Sequence, residues 1–211
     1  MKALITGSSK LAGAVVKNLS GKIVWQKLDV ETCRVESDIP WNHFDIFINN
    51  AHVGFKQAEL LHEAYCQWKD DTDKLIINIS SRAGKANISK GYLYAAQKAG
   101  LNHLADNLNY NSDRKCGIIT LNLGLIEHDE LPSLSYDEIT DVIRELIFDW
   151  YTDRIVPTEM TLEHRANYQE VQHEKQELKE LEEYYNHMLK VEEEFSAVSY
   201  THLTLPTILL V

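Results

Sequence analysis

The sequence is poor in the features that would set it apart from ordinary globular proteins. Its 211 residues include only 9 glycines and 4 prolines, which excludes a collagen-like repeat or a low-complexity linker. Three cysteines, Cys33, Cys66 and Cys116, are scattered without a C-x-x-C spacing. Neither a disulfide framework nor a metal site is indicated, and a reducing cytoplasm fits. The apolar opening breaks at Thr6-Gly7, too early for the core of a signal peptide. No run approaches the ~18 apolar residues of a membrane span, and the apolar ending from Leu203 to Val211 is interrupted by Pro206. Positive charge is scarce, with 21 Lys and Arg against 32 Asp and Glu and a net charge of −11. Without surplus cations to neutralise phosphates, the chain is not expected to bind nucleic acid.

What is present is a chain 44% hydrophobic and 25% charged, suited to one α/β domain with an appendage. Short apolar runs at Lys2–Thr6, Lys22–Val30, Phe44–Asn49, Lys74–Ser80 and Gly117–Leu123 lack clean alternation, as expected of strands buried on both faces of a parallel sheet. Arg154–Leu162 is a further strand at an edge, where Pro157 is tolerated. Helices are predicted over Lys10–Leu19, Gln57–Lys69, Tyr92–Tyr110 and Ser135–Trp150 from apolar spacing. Ser135 with Glu138 three residues on forms a capping-box pattern at the start of the last. The expected fold is a doubly wound α/β domain over residues 1–162.

Residues 163–197 form an acidic helical extension. Between Glu159 and Phe195, 11 acidic residues stand against 4 basic ones. Val171, Leu178, Leu181, Tyr185 and Met188 make a narrow apolar stripe, interrupted at Lys175, that fits either a short oligomerising seam or a solvated helix packed on one side.

Two constellations carry chemistry. Thr6-Gly7-Ser8-Ser9-Lys10-Leu11-Ala12-Gly13 joins the first strand to the first helix, where glycine lets the backbone approach a pyrophosphate and the free amides of the helix start hold the anion. Tyr94 and Lys98 are four apart on a predicted helix and so share a face, while Ser81 closes a strand at the carboxyl edge of the sheet. A phenol, with a reference pKa near ~10, works as acid or base near neutrality when a cation favours the phenolate. Lys98 supplies that cation. Ser81 would hydrogen-bond the reacting oxygen and place the carbon against a hydride donor.

In order, TGSSKLAG, NNAH at Asn49 to His52, INISSRAG at Ile77 to Gly84 and YAAQK at Tyr94 to Lys98, with thirteen residues from Ser81 to Tyr94, resemble the short-chain dehydrogenase/reductase family. The resemblance implies a Rossmann-type fold, NAD(P) as cofactor, and carbonyl–alcohol interconversion on a small-molecule substrate by Ser81, Tyr94 and Lys98. It places Gly7, Ser9, Lys10, Leu11, Gly13, Asp29, Asn49, Ala51 and Lys98 along the cofactor, and implies a homo-oligomer. The sequence departs from the family pattern at Leu11, where glycine is usual, at His52, which ends the NNAG motif, and at Leu123, which replaces a proline. The helix asparagine that holds a relay water in many relatives is missing, and Gln57 is the nearest substitute. Asp29, 22 residues after Gly7, favours NAD, while Lys10 could pair with a 2′-phosphate. The balance leans to NADP. The alternative is a catalytically weak dinucleotide-binding or scaffold protein acting through its acidic helix.

Val198–Thr207 resembles one reading-frame translation of a sequencing adapter. On that reading residues 198–211 are a non-native tail, and the natural chain continues beyond about Ala197.

Overall fold

A computed structural model of the protein describes residues 1–21, 23–28, 39–85, 91–164, 179–181, 183–188 and 190. The chain divides into two units, Met1–His164 and Arg165–Val211. In the second, the described residues are helical, with Leu181, Tyr185 and Met188 exposed. Among the described residues no helix is long and apolar enough to cross a membrane.

The first unit runs β1 (Lys2–Thr6), α1 (Lys10–Leu19), β2 (Val24–Leu28), β3 (Ile46–Asn49), α2 (Lys56–Trp68), β4 (Leu75–Ser81), α3 (Tyr92–Tyr110), β5 (Gly117–Leu123), α4 (Tyr136–Thr152) and β6 (Glu159–Leu162). All six strands pair in parallel in the order β2-β1-β3-β4-β5-β6. From β1 the chain steps outward to β2 and then returns to β3 on the other side. The strand order therefore reverses between β1 and β3, the position at which open α/β sheets hold their ligands.

Alternate residues of β1, β3, β4 and β5 feed opposite layers, which explains why these runs are apolar without a polar face. Ala3, Ile5, Ile48, Ile77 and Ile119 pack with Leu11, Val15 and Leu19 of α1 and with Ile139, Ile143 and Ile147 of α4. Leu4, Phe47, Ile76 and Ile118 pack with Leu60, Leu61 and Ala64 of α2 and with Leu101 and Ala105 of α3. At roughly 1.5–3 kcal/mol for each large apolar side chain fully buried, these two layers dominate the favourable energy of the fold. The capping box at the start of α4 is formed. Ser135 Oγ accepts from the Glu138 amide at 3.2 Å, and Glu138 Oε2 accepts from the Ser135 amide at 2.8 Å.

Three strands are shorter than expected, β3 among them, beginning at Ile46 rather than Phe44. β2 begins at Val24, two residues after the expected start. β6 begins at Glu159, because the chain turns through Arg154 at φ 59° and then meets Pro157, which has no amide to give a ladder. The expected strand end at Val30, Asp29, and most of the acidic extension and tail lie outside the described residues.

Candidate functional site

The turn after β1 is built around Gly7. Its φ is +82°, and a Cβ placed on it would stand 2.8 Å from the Cβ of Ala51, so a side chain is excluded twice, by backbone conformation and by space. Thr6 fastens this turn to the loop after β3. Its Oγ1 accepts the amides of Asn50 at 2.7 Å and Ala51 at 2.8 Å. Asn50 Nδ2 in return donates to Thr6 O at 3.1 Å and Ser9 Oγ at 3.2 Å. Ser9 caps α1, its Oγ accepting from the Ala12 amide at 3.2 Å, and the positive end of the helix dipole lies at Lys10 and Leu11.

These two loops and the start of α3 enclose a cleft of about 450 Å³. Gly7, Ser9, Lys10, Leu11, Ala51, Tyr94 and Lys98 all line it, together with Ser8, Asn50 and His52. The loop after β5 contributes Ile126, and Tyr136 from α4 completes the wall. That loop is folded onto itself by the bridge between Ile126 and Leu134. Among the described residues, two lysines and no Asp or Glu line the cleft, in a chain of net charge −11. Leu11, where the short-chain dehydrogenase/reductase pattern has glycine, is 6% exposed and belongs to the apolar layer beneath.

On α3, Lys98 is 3% exposed. Its Nζ donates to Gln57 Oε1 at 2.7 Å and to Ile79 O at 2.9 Å, and it lies 5.7 Å from the centroid of the Tyr94 ring. Burial disfavours the charged amine and brings its pKa down to about 8. Tyr94 remains partly exposed, and the His52 ring meets it edge-on, with centroids 4.8 Å apart. Burial, reinforced by the Lys98 charge and opposed by a hydrogen bond with Gln97, holds the His52 pKa below its usual value.

Three expected site residues lie outside the lining of the cleft. Ser81 ends β4 and caps the 3-10 turn Arg82–Gly84, its Oγ accepting from the Ala83 amide at 3.1 Å. Asn49 is fully buried, donating to Gln57 O at 2.8 Å and Asn78 Oδ1 at 3.0 Å. Gly13 lies within α1 with nothing inside 4 Å of an added Cβ, so the surrounding space does not require glycine. Asn50 is the addition, and Gln57, named above only as the nearest substitute for a missing asparagine, is tied directly to Lys98. The sequence signal for Gln57 is its place on α2, where it heads the otherwise apolar buried stripe Leu60, Leu61, Ala64, Trp68. Among the described residues no cluster of His, Cys, Asp or Glu could hold a metal ion.

No protein-family model matches the chain, and no curated protein does. Solved structures do. A short-chain dehydrogenase from Streptomyces avermitilis aligns with TM-score 0.60 and 16% identity, over 90% of this chain and 99% of that one. A short-chain dehydrogenase from Burkholderia cenocepacia, solved in complex with NADP, aligns with TM-score 0.60 and 13% identity, over 84% and 95%. Serine dehydrogenase from Escherichia coli gives 0.57 and 14%, over 77% and 97%. At these identities the likeness speaks to architecture, and the chain has the fold of the short-chain dehydrogenases and reductases.

Proposed function

We propose that this protein is an NAD(P)-dependent oxidoreductase that interconverts a carbonyl and an alcohol, with Tyr94 as its general acid and base. The observation that carries this reading is that Tyr94 and Lys98 share one cleft with the Gly7–Leu11 turn, Lys10 included. A dinucleotide fits those residues. The close approach of Gly7 to Ala51 keeps the floor clear of side chains, the start of α1 and Lys10 suit a diphosphate or a 2′-phosphate, and the volume is ordinary for a cofactor site. The nicotinamide ring, when bound, supplies or accepts the hydride.

The chain's own groups handle the proton. The Tyr94 hydroxyl gives its proton to the oxygen of a carbonyl substrate, and the Lys98 ammonium, close to the ring, stabilises the phenolate left behind. In the alcohol-oxidising direction the same phenolate takes the proton back. Ser81, by its place at the end of β4, would steer the substrate oxygen. The short, self-folded loop after β5 leaves the cleft open to a small or carrier-borne carbonyl. Cytoplasmic location and a homo-oligomer accord with this reading, with residues 163–197 as an extension of the catalytic domain.

A second reading, a dinucleotide-binding protein without turnover, has one observation on its side. The Ser81 hydroxyl is engaged with the Ala83 amide and lies outside the cleft lining. Fluorescence titration with NADPH and NADH, followed by NADPH consumption on a panel of small carbonyl compounds, separates the two. The enzyme reading expects saturable binding, tighter for NADPH, and turnover on at least one carbonyl. Binding without turnover leaves the second reading, and no binding of either nucleotide defeats both.

A further inference from the structure

Gln57 is 2% exposed, and every polar group of its side chain is committed. Its Nε2 donates to Asn49 O at 2.7 Å and Ile79 O at 2.9 Å, and its Oε1 accepts from Lys98 Nζ at 2.7 Å. This pattern fixes which end of the amide points where. Exchanging oxygen and nitrogen would set a donor against the Lys98 donor and an oxygen against two carbonyl oxygens. The residue is held from both sides, since Asn49 Nδ2 donates back to Gln57 O at 2.8 Å. Ile79 O, which receives both Gln57 and Lys98, completes a closed ring of hydrogen bonds linking the ends of β3 and β4 to the starts of α2 and α3.

An ammonium has three N–H donors. Two of those on Lys98 are taken by fixed acceptors in the wall, and Lys98 is also one of the residues that line the cleft. We propose that Gln57 is the positioning residue for Lys98: its amide oxygen holds the amine against the inner wall in the charged form, so that one N–H remains for an occupant of the cleft. Gln57 touches neither the cleft occupant nor the reacting atoms and acts through Lys98. The consequence for turnover rests on the oxidoreductase reading, whereas the clamp itself does not. Among the described residues, the titratable groups beside Lys98 are Tyr94 on its own helix and His52 from the loop after β3, and α2 and β4 present Gln57 Oε1 and the Ile79 carbonyl to its Nζ.

The test uses two substitutions of opposite electrostatic sign in the full chain. Trace acetylation with acetic anhydride across pH, read by peptide mass spectrometry, follows the neutral fraction of Lys98 and needs neither cofactor nor substrate. In the wild type the midpoint is expected near 8. Gln57→Glu puts a carboxylate against the ammonium and is expected to raise that midpoint by roughly one unit or more. Gln57→Met keeps the length, removes the acceptor, and is expected to lower it. Midpoints that do not move, or that move the same way in both variants, overturn the proposal.

If Gln57→Met fails to fold, the near-isosteric Gln57→Glu decides by its direction. If neither folds, the wild type decides through a slowly exchanging lysine ammonium signal in the 1H–15N spectrum, whose absence counts against the clamp. For the folded methionine variant, NADPH binding is expected to weaken by roughly tenfold, the scale of one charge-assisted hydrogen bond; unchanged NADPH binding overturns the free N–H. A wild type that binds no NADPH refutes the oxidoreductase reading and leaves the labelling result standing.

Discussion

The Nζ of Lys98 lies 5.7 Å from the centroid of the Tyr94 ring, one helical turn along the same face of α3. The cation is buried and hydrogen-bonded inward, while the phenol is partly exposed beside the cleft. The charge thus sits on a fixed mount beneath the group that meets solvent and ligand.

The oxidoreductase reading makes the Tyr94 hydroxyl indispensable to turnover and dispensable to structure, because no hydrogen bond from it helps hold the described fold together. Tyr94→Phe is expected to reduce the rate of NADPH consumption by about 10²-fold or more, within the range of general acid catalysis. Melting temperature and NADPH affinity should stay near wild type. A variant that retains full rate defeats the assignment.

Burial of Lys98 makes stability depend on pH with a definite sign. The folded chain releases this proton at about 8, against 10.5 for an ordinary lysine. Between those values the unfolded chain binds more protons, so this group makes stability rise with pH across that window. Below it the burial penalty is fully present. The total change is on the order of 3 kcal/mol. Urea unfolding of the wild type and of Lys98→Met at pH 7.5 and pH 10 should show the wild type gaining on the variant at the higher pH. A pH-independent difference contradicts the buried-amine account.

Two glycines of one motif are expected to respond oppositely to alanine. Gly7→Ala meets both a positive φ and a Cβ contact of 2.8 Å with Ala51, and should destabilise by roughly 2–4 kcal/mol. Gly13→Ala adds a methyl to open space within a helix, and should stabilise by about 0.5–1 kcal/mol. Thermal unfolding measures both. If Gly13→Ala also weakens NADPH binding, the cofactor approaches α1 more closely than the cleft lining implies.

Thr6 is expected to be intolerant of its isostere. Thr6→Val keeps the volume but leaves the amides of Asn50 and Ala51 without the acceptor that holds them at 2.7 and 2.8 Å. A loss of about 1–3 kcal/mol is expected, with weaker NADPH binding because the two loops come apart. Chemical denaturation and fluorescence titration read the two effects. Stability equal to wild type would show that the stitch between the loops is inconsequential.

Whatever depends on local period and local chemistry is legible in the amino-acid order. Unbroken apolar runs meant strands covered on both faces, and α3 occurs over Tyr92–Tyr110 as its spacing requires. Ser135 and Glu138 specified the start of α4 through hydrogen bonds spanning three residues, and four residues between Tyr94 and Lys98 put them on one helix face. Which distant groups share a site follows from how the elements pack. Gln57 reaches Lys98 across 41 positions of sequence, Asn49 spends its amide on Gln57 and Asn78, and Gly7 needs its missing side chain because Ala51 is there. Those meetings depend on the register of β1, β3 and β4 and on how α2 and α3 seat against them, which no local pattern encodes.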